Sequence, residues 1–112
     1  MSNPSRAKGT LWENEIVKWF HQHNMPHVER RALSGANDKG DIMLINTVVE
    51  AKNCQTLAIP RWLREVDAEM VNANADIGVI WVKQHRKTSA ADGYIVQRPE
   101  NWFKLYKEAG YC

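Results

Sequence analysis

Asp41, Glu50 and Lys52 have the types and spacing that can do chemistry, in the stretch KGDIMLINTVVEAKN from Lys39 to Asn53. Ile42 to Ile45 and Val48 to Ala51 are strand-like runs, and Asn46-Thr47 between them suits a two-residue turn because Asn tolerates positive φ. That loop sets Asp41 opposite Lys52 and Met43 opposite Glu50, and alternation sends all four side chains to one face. Two carboxylates on a diagonal with an ammonium at their edge make a site for one hard, oxygen-liganded cation. The plainer reading of the same residues is a surface hairpin whose Asp41–Lys52 ion pair carries little energy.

A third carboxylate argues for the first reading. From Thr10 to His23 the chain has a helical period, with Trp12, Ile16, Trp19 and Phe20 defining an apolar face. Glu13 falls inside that arc, while Asn14 and Lys18 lie opposite. A carboxylate turned toward a core needs a partner, because burying it alone is costly. The partners on offer are a cation at Asp41 and Glu50, or a Lys or Arg side chain.

Lys8-Gly9 ahead of Glu13, Ser34-Gly35 in a polar loop, Gly40-Asp41-Ile42 and then Glu50-Ala51-Lys52 form an ordered set. In that order they resemble the PD-(D/E)XK nuclease superfamily, and within it the archaeal-type Holliday junction resolvases and their small phage-encoded relatives. The resemblance implies a restriction-endonuclease-like core and a metal-dependent, structure-selective hydrolysis of phosphodiester bonds in branched DNA. It implies that Glu13, Asp41, Glu50 and Lys52 are catalytic, and that Asp41, Glu50 and the carbonyl of Ala51 ligate Mg2+, with Mn2+ able to substitute. Lys52 would orient or help activate the attacking water, and Glu13 would complete the acidic cluster. A homodimer would match the two-fold symmetry of a four-way junction. The family often has arginine after the helix glutamate; this chain has Asn14. Two further readings stand beside this one: another nuclease of the same fold, of restriction or repair type, and a catalytically silent DNA-binding protein.

The chemistry accounts for the residue types. Phosphodiester cleavage adds charge to an anionic phosphate, and a hard cation bridging nucleophile and phosphate stabilises that charge. A cation beside Lys52 would depress its pKa, whereas neighbouring carboxylates would raise it. Whether Lys52 acts as base or as electrostatic clamp stays open, as does one metal or two.

Several elements must position these groups. Residues 1–9 read as an N-terminal arm ahead of the first helix. Leu33 to Gly40, rich in Ser, Gly, Asn and Asp, reads as a loop that lets backbone approach a nucleic-acid strand. Lys8, Arg30, Arg31, Ser34 and Lys39, with Arg6, are the candidate phosphate contacts if they converge on the metal site. Pro60 opens a helix to about Ala73, Ile77 to Val82 is a buried strand, Tyr94 to Val96 is another, and a last helix runs from Pro99 to Gly110. The basic run Lys83 to Lys87 is a loop that either grips DNA or is a solvated turn. The order helix, three strands, helix, two strands, helix predicts a single α/β domain with a mixed sheet.

Composition sets the outer bounds. At 112 residues and 44% hydrophobic content, the chain has one core's worth of material. A net charge of +2 is modest for a nucleic-acid binder, so any basic patch must come from arrangement. Five tryptophans point to core filling, with Trp62 or Trp102 candidates for a subunit interface. His21 and His23 point to different sides of a helix, which argues against structural zinc. Cys54 and Cys112 make no disulfide framework, and a reducing cytoplasm is the default expectation. No signal peptide, membrane span or nucleotide-binding glycine loop is visible, so no membrane or small-molecule cofactor is expected.

Overall fold

Val48 and Val49 are neighbours on one strand and both are sealed from solvent. Successive strand side chains point to opposite faces, so both faces of the sheet must be covered. The computed structural model, which describes residues 4–32 and 37–111 with side chains from residue 7 onward, puts a helix on each. In chain order the elements are α1 (Pro4–Gln22), β1 (Glu29–Arg30), β2 (Ile42–Met43), β3 (Thr47–Lys52), α2 (Ile59–Ala73), β4 (Ile77–Val82), a 3-10 turn (Ala90–Asp92), β5 (Tyr94–Val96) and α3 (Pro99–Glu108). The result is a single small α/β domain in the expected order. Residues 4–9, expected as an arm, are instead the first turns of α1.

The sheet is mixed. β3 and β4 run parallel, Thr47 opposite Ile77 through Lys52 opposite Val82, joined by α2 as the crossover. β5 returns antiparallel on the far side of β4, and β1 pairs antiparallel with β2. The β2–β3 hairpin closes through one bridge, Leu44 to Thr47, so the two loop residues are Ile45 and Asn46 rather than Asn46 and Thr47. Asn46 has φ 55, the left-handed conformation favoured for Asn at the third position of a turn. It is stapled there by Asp76: Asn46 Nδ2 donates to the carboxylate, and the Asp76 N–H donates back to Asn46 Oδ1, both at 2.9 Å.

One core layer fills the space under α1, where Trp12, Ile16 and Phe20 meet Val28, Ile42, Val49 and Trp81. Buried indoles need acceptors. Trp12 Nε1 donates to the Trp81 carbonyl at 2.9 Å, and Trp81 Nε1 donates to the Ala90 carbonyl at 3.0 Å. The other layer joins Trp62 and Val66 of α2 to Val48, Ile80 and Val82. Trp62 is therefore core and not interface, whereas Trp102 on α3 is exposed. Gly78 makes this layer possible, since a Cβ there would collide with Val66 and Met70. Pro60 sits in the first turn of α2, and Asn74 ends the helix in the left-handed conformation, its N–H returning to Met70 and Val71 carbonyls.

Candidate metal centre

β3 delivers two chemically different faces to the two helices. Val49 goes to the α1 side, and Val48 and Glu50 go to the α2 side. Glu50 is thus a carboxylate buried under a helix, 6% exposed, and what it meets there is Glu69, also 6% exposed. Glu69 follows Trp62 by seven positions and Val66 by three, so helical spacing points it with them toward the sheet. Asp38 completes the group: one oxygen from each of Asp38, Glu50 and Glu69 lies within 4.8 Å of the others. This cluster could hold a metal ion.

Glu50 Oε1 and Glu69 Oε2 are sealed from solvent, and no N–H donor among the described residues reaches either. The two carboxyls face each other and Lys52 reaches only the other oxygen of Glu50, so a shared proton or a bound cation would relieve the inner oxygens. Burial, and then contact with the neighbouring carboxyls, pushes the Glu50 pKa far above the ordinary carboxylate range. Burial likewise pushes Glu69 up to about 7, helped by the charges of Asp38 and Asp41. An all-carboxylate donor set suits a hard divalent cation, and such a cation replaces the shared proton.

Asp41 adjoins this cluster from the strand side. Gly40, at φ 96 and packed against Val48 and Val49, turns the chain into it. The Asp41 N–H donates to the Val49 carbonyl at 2.8 Å, and its Oδ2 accepts from the Ala51 N–H at 2.8 Å. That carboxylate supplies the acceptor which a longer β2 would have offered to β3. Its pKa is raised by burial, against the pull of the Ala51 N–H, of contact with Glu50 and of Lys52. Ala51, expected to contribute its carbonyl, is tied to the site through its N–H.

Lys52 closes the α2 side of the group. Its Nζ lies 3.6 Å from Glu50 Oε2, 3.5 Å from Glu65 Oε2 and 5.5 Å from the centre of the Trp62 ring. Burial disfavours its charge, but Glu50, Glu65 and Asp41 outweigh burial and leave the ammonium's pKa raised. Without a bound cation the carboxylate side of the expected contest prevails.

Glu13 takes the arginine of the two kinds of partner open to it: Arg30 Nε lies 3.2 Å from its Oε1. Burial and the charge of Asp41 raise its pKa, and Arg30 lowers it. Arg30, expected on phosphate, is therefore paired across to α1. Arg31 donates its backbone N–H to the Asp41 carbonyl at 2.8 Å, and its Nε is sealed without a partner among the described residues. Lys39 is half-buried beside Gly40, Lys8 is exposed on α1, and Ser34 lies outside the described residues, as does the Arg6 side chain.

Glu69 and Asp38 were not among the residues expected. Glu69 carried the same signal that singled out Glu13, a carboxylate within an apolar helical arc. Asp38 carried none beyond its loop, where its Oδ1 accepts from the Gly40 N–H at 2.8 Å and shapes the entry to Asp41. His21 and His23 serve the backbone: His21 Nε2 donates to the Val28 carbonyl and His23 Nδ1 to the Trp19 carbonyl, both at 2.7 Å. No helix among the described residues is long and apolar enough to cross a membrane. Compared with known protein families, curated proteins and solved structures, the chain finds no match in any of the three.

Proposed function

We propose that this chain is a divalent-metal-dependent endodeoxyribonuclease of the restriction-endonuclease-like kind, cutting branched DNA as a Holliday junction resolvase does. The observation that carries this reading is the convergence of Asp41, Glu50 and Lys52 toward one end of β3, beside two sealed carboxylate oxygens that lack a donor among the described residues. Asp38, Glu50 and Glu69 would hold Mg2+ or Mn2+, with Asp41 adjoining. Such a cation, when bound, supplies neutralisation of phosphate charge and a more acidic bound water. Glu50 and Glu65 hold the Lys52 ammonium charged next to the reacting phosphate, where it opposes the negative charge that builds on the phosphoryl oxygens. Glu13, fixed by Arg30, adds negative charge on the α1 side of Asp41 and helps retain the cation.

Branched DNA with two-fold symmetry calls for two copies of the chain, so the reading carries a homodimer with it. Cleavage of a labelled synthetic four-way junction, compared with linear duplex, fork and single strand in Mg2+, Mn2+ or EDTA, is the test. Paired symmetric nicks on the junction, lost in EDTA, are expected. Equal cutting of duplex would replace the resolvase with a general nuclease, and binding without cutting would leave a silent scaffold. Asp41→Asn should lower the cleavage rate by orders of magnitude while DNA is still bound; wild-type cutting by that variant would refute the assigned site.

A further inference from the structure

The basic run after β4 has a place that the metal centre does not use. A groove of about 810 Å³ opens at the C-terminal ends of the parallel strands β3 and β4, between the segment after Lys52 and the loop after Val82. Its cationic lining is Lys8 from α1 with Lys83 and Arg86 from the loop, His85 sits beside them, and no Asp or Glu among the described residues lines it. In a chain whose net charge is only +2, that segregation is a local positive field. A smaller recess of about 220 Å³ adjoins it through Lys8, Asn53 and Lys83, and brings in one carboxylate, Glu15.

Three further features identify what such a field would hold. Tyr94 of β5 lines the groove and is 52% exposed, an aromatic face open to a planar ligand. Asn53 and Gln55 line it too, and their amides can both donate and accept toward a base edge. Arg86 is held at φ 65, a conformation uncommon for a bulky residue, within a turn closed by the Lys87 N–H on the Gln84 carbonyl at 3.1 Å. Backbone pairing ties the groove's loop to the strand that carries Lys52, the Lys83 N–H donating to the Lys52 carbonyl at 2.9 Å.

We infer that this groove binds a single-stranded segment of nucleic acid, its phosphates on Lys8, Lys83 and Arg86 and a base stacked on Tyr94, leading away from the cut. Cations and an aromatic platform together match a polyanion that carries planar groups, and stacking on Tyr94 requires an unpaired base. The inference rests on the nuclease reading, and it makes a branch point or unpaired arm the preferred substrate over continuous duplex.

The test is fluorescence anisotropy in EDTA with the full chain, using labelled oligothymidylate, a duplex of equal length and an acidic peptide of equal charge. Lys83→Gln combined with Arg86→Asn removes two cations, and Asn tolerates the left-handed backbone at 86. That variant, with an unchanged melting temperature, should bind oligothymidylate about tenfold more weakly, with a salt slope shallower by about 1.4. Tyr94→Ala should lose about fivefold or more with the slope unchanged, and Tyr94→Phe should bind as wild type does. Unchanged binding by the double variant, no effect of Tyr94→Ala, or equal affinity for duplex or acidic peptide would each overturn the inference. Because no cleavage is read, its failure is separable from that of the enzyme: groove effects without cutting refute only the nuclease, and cutting without groove effects refutes only the groove.

Discussion

Glu50 and Glu69 put the chemistry and the cost of this fold in the same place. Two carboxyls, each 6% exposed, face each other beneath α2 with no donor for their inner oxygens among the described residues. The pKa values of both are raised above the ordinary 4.5, so between that value and about 7 the folded chain binds more protons than the unfolded one. Stability must then fall with rising pH across this window, its contribution being full at acid pH and lost upward through neutrality. Thermal melts in EDTA should show that decline, and Glu69→Gln should flatten it, since its amide can donate to Glu50. The same variant should lose most of the rise in melting temperature that Mn2+ gives the wild type at pH 8. A variant that keeps both the pH slope and the metal shift would remove Glu69 from the site.

At the scale of elements, the site depends on how closely α2 approaches the sheet. Gly78 sets that distance, with Val66 and Met70 occupying the space a side chain would need. Gly78→Ala should cost about 1–3 kcal/mol by overpacking. It should also weaken metal binding, because pushing α2 outward separates Glu69 from Glu50; urea denaturation and a Mn2+ titration read the two effects. The hairpin shows the converse, an element whose error was harmless. Its loop lies one position earlier than the sequence pattern implied, yet strand alternation has period two and the shift changes the paired partner by two. Asp41 and Glu50 therefore remain together, and Asp41 meets the Ala51 N–H instead of Lys52.

At the scale of the molecule, 12.9 kDa folded around one mixed sheet sets the candidate metal cluster around Glu50 of β3 and the basic groove at the C-terminal ends of β3 and β4. On the proposed nuclease reading one such chain would offer one cutting site, so paired nicks in a junction would require two copies. Sedimentation velocity should show a species of twice the monomer mass, bound to a junction if not alone. A lone 12.9 kDa monomer on the DNA would leave single nicks only, and with them a repair-type enzyme in place of a resolvase.

Local pattern was enough for much of this. β4 and β5 fall where the apolar runs placed them, and α2 and α3 begin at or beside their prolines, because burial period and Pro chemistry act on neighbours in sequence. The proximity of Asp41, Glu50 and Lys52 was legible for the same reason, since a hairpin is a local object. Glu13 was legible as a buried carboxylate in need of a partner. That its partner is Arg30, that Glu69 and Asp38 join Glu50, and that Lys83 and Tyr94 line one groove were decided by tertiary structure alone. Glu13 with Arg30 and Glu69 with Glu50 meet across helix and strand, where the packing of α1 and α2 on opposite faces of the sheet determines which side chains face each other; Lys83 and Tyr94 are brought together by the antiparallel return of β5 along β4.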